Sequence, residues 1–186
     1  MNQMLKKVQM DIQKNFGKDV NWDSLPKGSF NCYMFAVFNT VPTEVLDFVD
    51  EEHGIAICKC LTNEKLSIGG IGGISGRIHY TTVAGLIKAL KCDLACLGIL
   101  LEDSSLEEIV TNPFVKIAFY YDKEGLSKCK NPNFHFVRQD GDQWLHKTGW
   151  AGKVEKIDIP IENFSCDNLY LIGYFKLSLM QKNHNS

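Results

Sequence analysis

The residue of this chain best suited to nucleophilic chemistry is Cys32, which lies in the stretch GSFNCYMFAVF, residues 28–38. The Gly, Ser and Asn residues before it are typical of a turn, and the apolar residues after it predict a short buried helix over 32–39. A thiol becomes a good nucleophile only as a thiolate, and a helix N-terminus lowers its pKa. The position of Cys32 therefore makes it a candidate nucleophile.

Two of the five histidines lie in one stretch, FHFVRQDGDQWLHKTGW, residues 134–150. Apolar residues on both sides of the turn-like Asp-Gly-Asp at 140–142 predict a β-hairpin, with His135 in the first strand and His146 in the second. Side chains alternate between the two faces of a strand, so both imidazoles can lie on one face, within hydrogen-bond reach.

A cysteine and two histidines supply a nucleophile, a base and an orienting group if the fold brings them together. In this hypothesis Cys32 attacks an amide carbonyl, His135 takes the thiol proton and later protonates the leaving amine, and His146 holds His135 in the required orientation. Three other side chains of the hairpin are alternative orienting groups: Asp140, Asp142 and Gln143.

Each of these residues also has an ordinary structural interpretation. A cysteine such as Cys32 is more often a small buried hydrophobic residue than a nucleophile. His135 stands between Phe134 and Phe136, as a core histidine would. Trp144 is typical of a core or of a pocket wall that contacts substrate. Arg138 and Lys147 are expected to be solvated strand residues.

The remaining cysteines and glycines indicate neither a metal nor a cofactor. Cys58-x-Cys60 and Cys92-x₃-Cys96 do not have zinc-knuckle spacing, and no histidine follows either pair at finger spacing. The glycine-rich stretch GGIGGISGR, residues 69–77, lacks the Gly-Lys-Ser/Thr of a phosphate loop and the spacing of a dinucleotide fingerprint. We therefore expect no metal ion and no organic cofactor.

The rest of the chain predicts the elements that position these residues. Apolar residues at helical spacing before Gly17 predict an N-terminal helix, and a threonine start with the same spacing predicts a helix over 81–92. Ser104 and Glu107 fit a capping box for a helix at SLEEIV, 105–110. Strands are predicted at 54–61, 97–103, 114–122, 133–139, 143–147 and 168–179. Helices followed by strands predict an α+β fold, with residues 1–186 as one domain.

Composition narrows the function classes. The chain has 186 residues and a formal net charge of −2, so it can bury one sizeable core and offers no basic surface for nucleic acid or anionic membranes. Its apolar runs are too short to cross a bilayer, and its N-terminal stretch lacks the features of a signal peptide. Seven cysteines without an export signal indicate reduced thiols and a cytoplasmic location, with release by lysis or dedicated secretion.

The two stretches resemble the papain-like cysteine peptidases of the NlpC/P60-type branch. NCYMFAVF (31–38) is similar to the NCYAYAL-like nucleophile helix of a divergent bacterial and phage group, and HFVRQDGDQWLHKTG (135–149) to its histidine segment. Ser75-Gly76 is similar to the end of a PG-x-x-SG stretch that often follows that helix, without the proline. The cysteine motif differs from the Asp-Cys-Ser-Gly of peptidoglycan-cleaving members.

The resemblance implies a papain-like fold, with N-terminal helices packed on an antiparallel sheet, and a cysteine peptidase or amidase that works through a thioester. Candidates for oxyanion or substrate contacts are the Asn31 amide, Ser75 and Trp144. Protein, peptide and cell-wall amides are all possible substrates. Two alternatives are an acyltransferase or deamidase on the same scaffold and a binding module without catalytic activity.

Overall fold

The computed structural model describes residues 3–18, 21, 31–38, 46–50, 55–58, 68, 82–127, 133–148, 152–158, 163–164 and 168–180. Several residues lie outside this part of the chain: the glycine-rich stretch with Ser75 and Gly76, and the residues His53, His79, Trp150 and His184. All statements below concern the described residues.

Three of the helices follow from the apolar spacing and the capping residues. They are α1 (Gln3–Asn15), α2 (Cys32–Phe38) and α3 (Val83–Leu97), and a short α4 (Lys123–Ser127) was not predicted. Gly17, with a φ of 73°, follows α1 as predicted. The Thr82 hydroxyl caps α3 by accepting a hydrogen bond from the Gly85 N–H at 3.1 Å. Helix α3 continues beyond the predicted end at Cys92, because its apolar spacing extends to Leu97 and the left-handed residue that ends it is Gly98.

The strands form a two-stranded ribbon and a larger antiparallel sheet. The ribbon pairs β1 (Leu46–Asp50) with β2 (Ile55–Cys58). The large sheet has the order β3-β9-β4-β5-β6-β7, with β8 paired to β9. Its strands are β3 (Ile99–Ser104), β4 (Val115–Asp122), β5 (Phe134–Asp140), β6 (Gln143–Lys147), β7 (Val154–Ile157), β8 (Asn163–Phe164) and β9 (Leu169–Leu179). The α+β class and the antiparallel sheet are confirmed.

The hairpin of β5 and β6 is confirmed, with a turn at Gly141 and Asp142. Asp140 pairs with Gln143 at its base, and Gly141 takes a φ of 62°, which favours glycine. Strands β1, β7 and β8 were not predicted, because each is short and lacks a clear two-residue alternation.

The helix predicted at residues 105–110 is wrong. The segment has no helix, and Ser104 belongs to β3. The Lys116 ammonium donates hydrogen bonds to the carbonyl oxygens of Leu106 and Glu108, both at 2.7 Å. The Ser105 hydroxyl accepts from the Glu108 N–H, which forms a local turn. A buried cation from β4 therefore takes the carbonyl groups that a helix would use.

The two faces of the large sheet support two apolar clusters. One face packs against α2 and α3 and carries Phe119, Phe136 and Leu177; we call it the helix face. The opposite face carries Tyr120, Val137 and Trp144; we call it the imidazole face, because it also carries the two histidines of the hairpin. Within the described part of the chain, no helix is long and apolar enough to span a membrane.

Candidate active site

Helix α2 begins at Cys32 because Asn31 caps it. The Asn31 side-chain oxygen accepts a hydrogen bond from the Met34 N–H at 2.9 Å, and the Asn31 carbonyl accepts one from the Phe35 N–H at 2.9 Å. This is an ordinary N-cap, a role that sequence reasoning did not assign to Asn31. Cys32 is therefore the first helical residue, as predicted.

Tyr33 fixes α2 to the rest of the fold. Its hydroxyl donates a hydrogen bond to the buried carboxylate of Asp93 on α3 at 2.8 Å. Its ring packs against Phe134 and Phe136 of β5, with centroid distances of 6.2 Å and 5.4 Å. The start of α2 is consequently held over the first half of β5.

The structure brings the two predicted histidines together. His146 lies opposite Val137 in the register of β5 and β6, so His135 is its diagonal neighbour on the imidazole face. The Nε2 atom of His135 and the Nδ1 atom of His146 are 3.2 Å apart, and the rings meet edge to face. The predicted contact between the two imidazoles is confirmed.

A carboxylate from the next strand approaches this pair. Glu155 lies opposite His146 in the register of β6 and β7, and its Oε2 atom is 3.8 Å from the His146 Nε2 atom. A carboxylate only accepts hydrogen bonds, so it favours the proton of His146 on Nε2. In that tautomer the His146 Nδ1 atom would accept from the His135 Nε2–H, which would make Nδ1 the basic nitrogen of His135.

The Cys32 sulfur and the His135 ring face opposite sides of β5. The Cys32 thiol donates to the Phe134 carbonyl at a distance of 3.9 Å, and the Phe136 backbone amide also interacts with it. These groups flank the backbone of His135, whose side chain points to the opposite face of the sheet. Sequence reasoning expected the sulfur within about 4–5 Å of a His135 ring nitrogen. That distance stays a prediction, but Phe134 and Phe136 occupy the helix face of β5, so the alternation of the strand directs the His135 side chain to the other face.

Burial keeps both reactive groups neutral. It raises the pKa of the Cys32 thiol to about 11, although backbone amides and the nearby Lys147 ammonium act against this rise. Burial, and then the neighbouring His146, lowers the pKa of His135 to about 4. Burial also lowers the pKa of His146, while Glu155 acts to raise it. At neutral pH the described site therefore holds the thiol of Cys32 and the neutral imidazole of His135.

The other candidate residues are placed as follows. Trp144 is buried on the imidazole face, with the Lys116 ammonium 5.6 Å from its ring centroid. Asp140 accepts a hydrogen bond from the Arg138 Nε at 2.6 Å, and it lies with Asp142 and Gln143 at the other end of the hairpin from His135. Of the candidate orienting groups, the structure brings only His146 to His135 within the described residues.

A cleft of about 840 Å³ opens at that far end of the hairpin. Its walls come from the turn of the hairpin, the segment after β3 and the end of α1, and include Lys18, Glu107, Phe114, Arg138 and Asp142. Cys32 and His135 do not line it. Among the described side chains, no group of three or more His, Cys, Asp or Glu residues is placed to hold a metal ion.

Sequence reasoning missed the placement of three charged residues. Lys147 is only 1% exposed, and Arg138 is also buried, whereas both were expected to be solvated. Lys147 lies two residues after a leucine that faces the core, so the two side chains share one face of the strand. This spacing predicts that Lys147 is buried. Glu155 carried no such signal, because its position depends on β7, which was not predicted.

Comparison of the chain with protein-family models, with curated proteins and with solved structures finds no match.

Proposed function

We propose that this protein is a cysteine hydrolase that cleaves an amide bond through a thioester on Cys32, with His135 as acid and base and His146 as its orienting group. The observation that supports this function is the imidazole pair, with its 3.2 Å contact, on the strand over which α2 begins with Cys32. A cysteine-bearing helix on an antiparallel sheet also supports the papain-like, NlpC/P60-type architecture that is part of this proposal.

The proposed reaction has two steps. In the first step His135 takes the proton of the Cys32 thiol, the sulfur attacks the amide carbon, the carbon–nitrogen bond breaks, and His135 gives that proton to the leaving amine. In the second step water adds to the acyl carbon and gives a proton to His135, and the carbon–sulfur bond breaks. A carboxylic acid and the Cys32 thiol are released. An amine in place of water would give acyl transfer.

This reaction requires the Cys32 sulfur to reach an imidazole on the opposite face of β5, so the start of α2 must move past the first residues of that strand. The sulfur–oxygen distance of 3.9 Å is long for a hydrogen bond, so that contact holds the thiol only weakly. Catalytic hydrogen bonds are often absent from a resting site and form when substrate binds. The proposal therefore includes a movement of the start of α2 relative to β5 on substrate binding.

An activated ester such as p-nitrophenyl acetate tests the proposal. The wild-type protein should release nitrophenolate and carry a transient acetyl group on Cys32, located by mass spectrometry of peptides after acid quenching. Cys32→Ala should abolish both signals, and His135→Gln should lower the rate of deacylation by about 100-fold or more. Cys96→Ala, which removes another free cysteine, is the matched control and should behave as wild type. A Cys32→Ala protein as active as wild type would exclude the mechanism.

A binding module without catalytic activity is the second candidate, and the neutral thiol of Cys32 inside the main apolar cluster favours it. The two functions differ in how fast iodoacetamide modifies each cysteine at pH 7. A nucleophile at Cys32 should be modified faster than the half-buried thiols of Cys92 and Cys96. A cysteine that only packs should be modified more slowly than both.

A further inference from the structure

We propose that Lys147, and not His135, is the cation that stabilises the thiolate of Cys32. The inference deepens the proposed function and rests on it, since a thiolate at Cys32 is what that function requires. It assigns a role to a buried charged residue that the imidazole pair leaves unexplained. His135 and His146 then handle protons on one face of the sheet, while Lys147 acts on the sulfur from the other.

The strand register places Lys147 on the helix face. Leu145, two residues earlier in β6, packs against the cluster that contains Cys32, and Val154, the cross-strand partner of Lys147, packs there too. Residues two apart in a strand share a face, and so do directly paired residues. Lys147 lies one step beyond the Val137–His146 pair, beside Phe136, whose backbone interacts with the Cys32 sulfur.

The charge of Lys147 and the sulfur of Cys32 affect each other directly. Lys147 is 1% exposed and Cys32 is 6% exposed, so little water screens the interaction. Burial lowers the pKa of Lys147 to about 8, and the charge of Cys32 acts to raise it again. The Lys147 ammonium is also the side-chain charge that lowers the pKa of Cys32. Lys147 is therefore cationic below pH 8 and largely neutral above it.

The other ionisable groups around the start of α2 are otherwise engaged or turned away. Arg138 shares the helix face of β5, but its Nε atom donates to Asp140 at 2.6 Å. Asp93 of α3 accepts a hydrogen bond from Tyr33. His135 and His146 contact each other on the imidazole face. Among the described ionisable side chains, Lys147 is thus the one placed to stabilise a negative sulfur.

The test measures the rate of Cys32 alkylation by iodoacetamide between pH 6 and pH 10, by peptide mass spectrometry on the full chain. The variants are Lys147→Met, which removes the charge and keeps the length, and Lys147→Arg, which keeps the charge at every pH of the series. Lys116→Met is the matched control, because Lys116 is equally buried but lies on the imidazole face beside Trp144. Circular dichroism establishes that each variant is folded.

Lys147→Met should alkylate roughly tenfold more slowly than wild type below pH 8, because a nearby opposite charge shifts a pKa by about one unit or more. The difference should shrink above pH 8, where wild-type Lys147 loses its own charge. Lys147→Arg should keep the fast rate above pH 8. Lys116→Met should stay within about twofold of wild type.

Equal rates for Lys147→Met and wild type, or a difference that does not depend on pH, would overturn the inference. If Lys147→Met does not fold, the comparison of Lys147→Arg with wild type above pH 8 still tests the inference. Equal rates of Cys32 alkylation in that range would exclude a role for the charge of Lys147. Alkylation does not require turnover, so the two proposals fail separately. Loss of the Lys147 effect with intact ester hydrolysis contradicts only this inference, and the reverse result contradicts only the proposed function.

Discussion

At the scale of single residues, the site consists of a short chain of polar contacts across three neighbouring strands. His135, His146 and Glu155 occupy β5, β6 and β7 and face the same side of the sheet. His135 is buried, whereas the side chain of Glu155 is 64% exposed. The three side chains therefore lead from the interior of the protein to the solvent. A proton taken by His135 can therefore be balanced by a charge near the surface, which favours the proton-handling role over a purely structural one.

Glu155→Gln should weaken this chain without unfolding the protein. Loss of the carboxylate removes the influence that raises the pKa of His146, so that pKa should fall further in an NMR titration of the ring. Ester hydrolysis should fall by about two- to fivefold, as expected for an exposed charge pair. Glu102→Gln, on β3 at the other edge of the sheet, should change neither quantity. A His146 pKa that rises or stays constant in Glu155→Gln would contradict the influence of this carboxylate on the imidazole pair.

At the scale of elements, the placement of α2 decides which residues can meet Cys32. The helix has seven residues, too few to be stable alone, and it depends on its Asn31 cap and on the packing of Tyr33. Both interactions hold it on the helix face of β5. Its first residue therefore lies beside the backbone of His135 and on the side of Lys147, and not against the imidazoles.

Variants of Asn31 separate its role as a cap from the predicted role in an oxyanion hole. Asn31→Ala should lower the free energy of unfolding by about 1 kcal/mol, because the Met34 N–H loses its acceptor. Asn31→Ser, which still caps but lacks an amide, should stay within about 0.5 kcal/mol of wild type in urea unfolding. A normal stability with lost ester hydrolysis in Asn31→Ser would show that the amide also serves the reaction. Equal instability of both variants would contradict the capping role.

At the scale of the whole molecule, burial of His135 makes the stability depend on pH. The imidazole takes up a proton near pH 6.5 in the unfolded chain, but only near pH 4 in the folded protein. The unfolded state therefore binds more protons between these values, and the free energy of unfolding falls as the pH decreases through this interval. Contacts between elements that are distant along the chain, such as Gly17 against Pro113, also contribute to the free energy of unfolding.

Urea unfolding of the wild type should thus show a loss of up to about 3 kcal/mol between pH 6.5 and pH 4 that His135→Gln does not share. Glutamine keeps a polar side chain beside His146 and does not titrate. Buried or paired carboxylates contribute equally to both proteins, so the difference between the two curves isolates the histidine. Parallel curves over this interval would show that His135 titrates normally in the folded protein.

A pair of glycines tests the contact between α1 and the segment before β4. Gly17 and Gly141 both have positive φ, so alanine strains either backbone by about 1 kcal/mol. At Gly17 the new methyl group would also lie 2.6 Å from the Pro113 carbonyl oxygen, whereas at Gly141 it would meet no atom within 4 Å. Gly17→Ala should consequently cost about 1–3 kcal/mol more than Gly141→Ala in urea unfolding. An equal loss of unfolding free energy in the two variants would mean that the Pro113 carbonyl group can move away at little energetic cost.

The sequence by itself determined the local features of this protein. Apolar spacing and turn residues predicted α1, α2 and the β5–β6 hairpin, because these depend on contacts between near neighbours along the chain. The hairpin made a contact between His135 and His146 possible, but the sequence alone did not fix the register that makes them diagonal neighbours.

Only the tertiary structure decided which face of the sheet each functional group occupies. The side of β5 that receives α2 depends on how Tyr33 packs with Phe134 and Phe136, about a hundred residues away in the chain. That packing puts Lys147 beside Cys32 and keeps the His135 ring on the other side. A pattern of alternation shows which residues share a face, but it carries no information on which face a distant helix will cover.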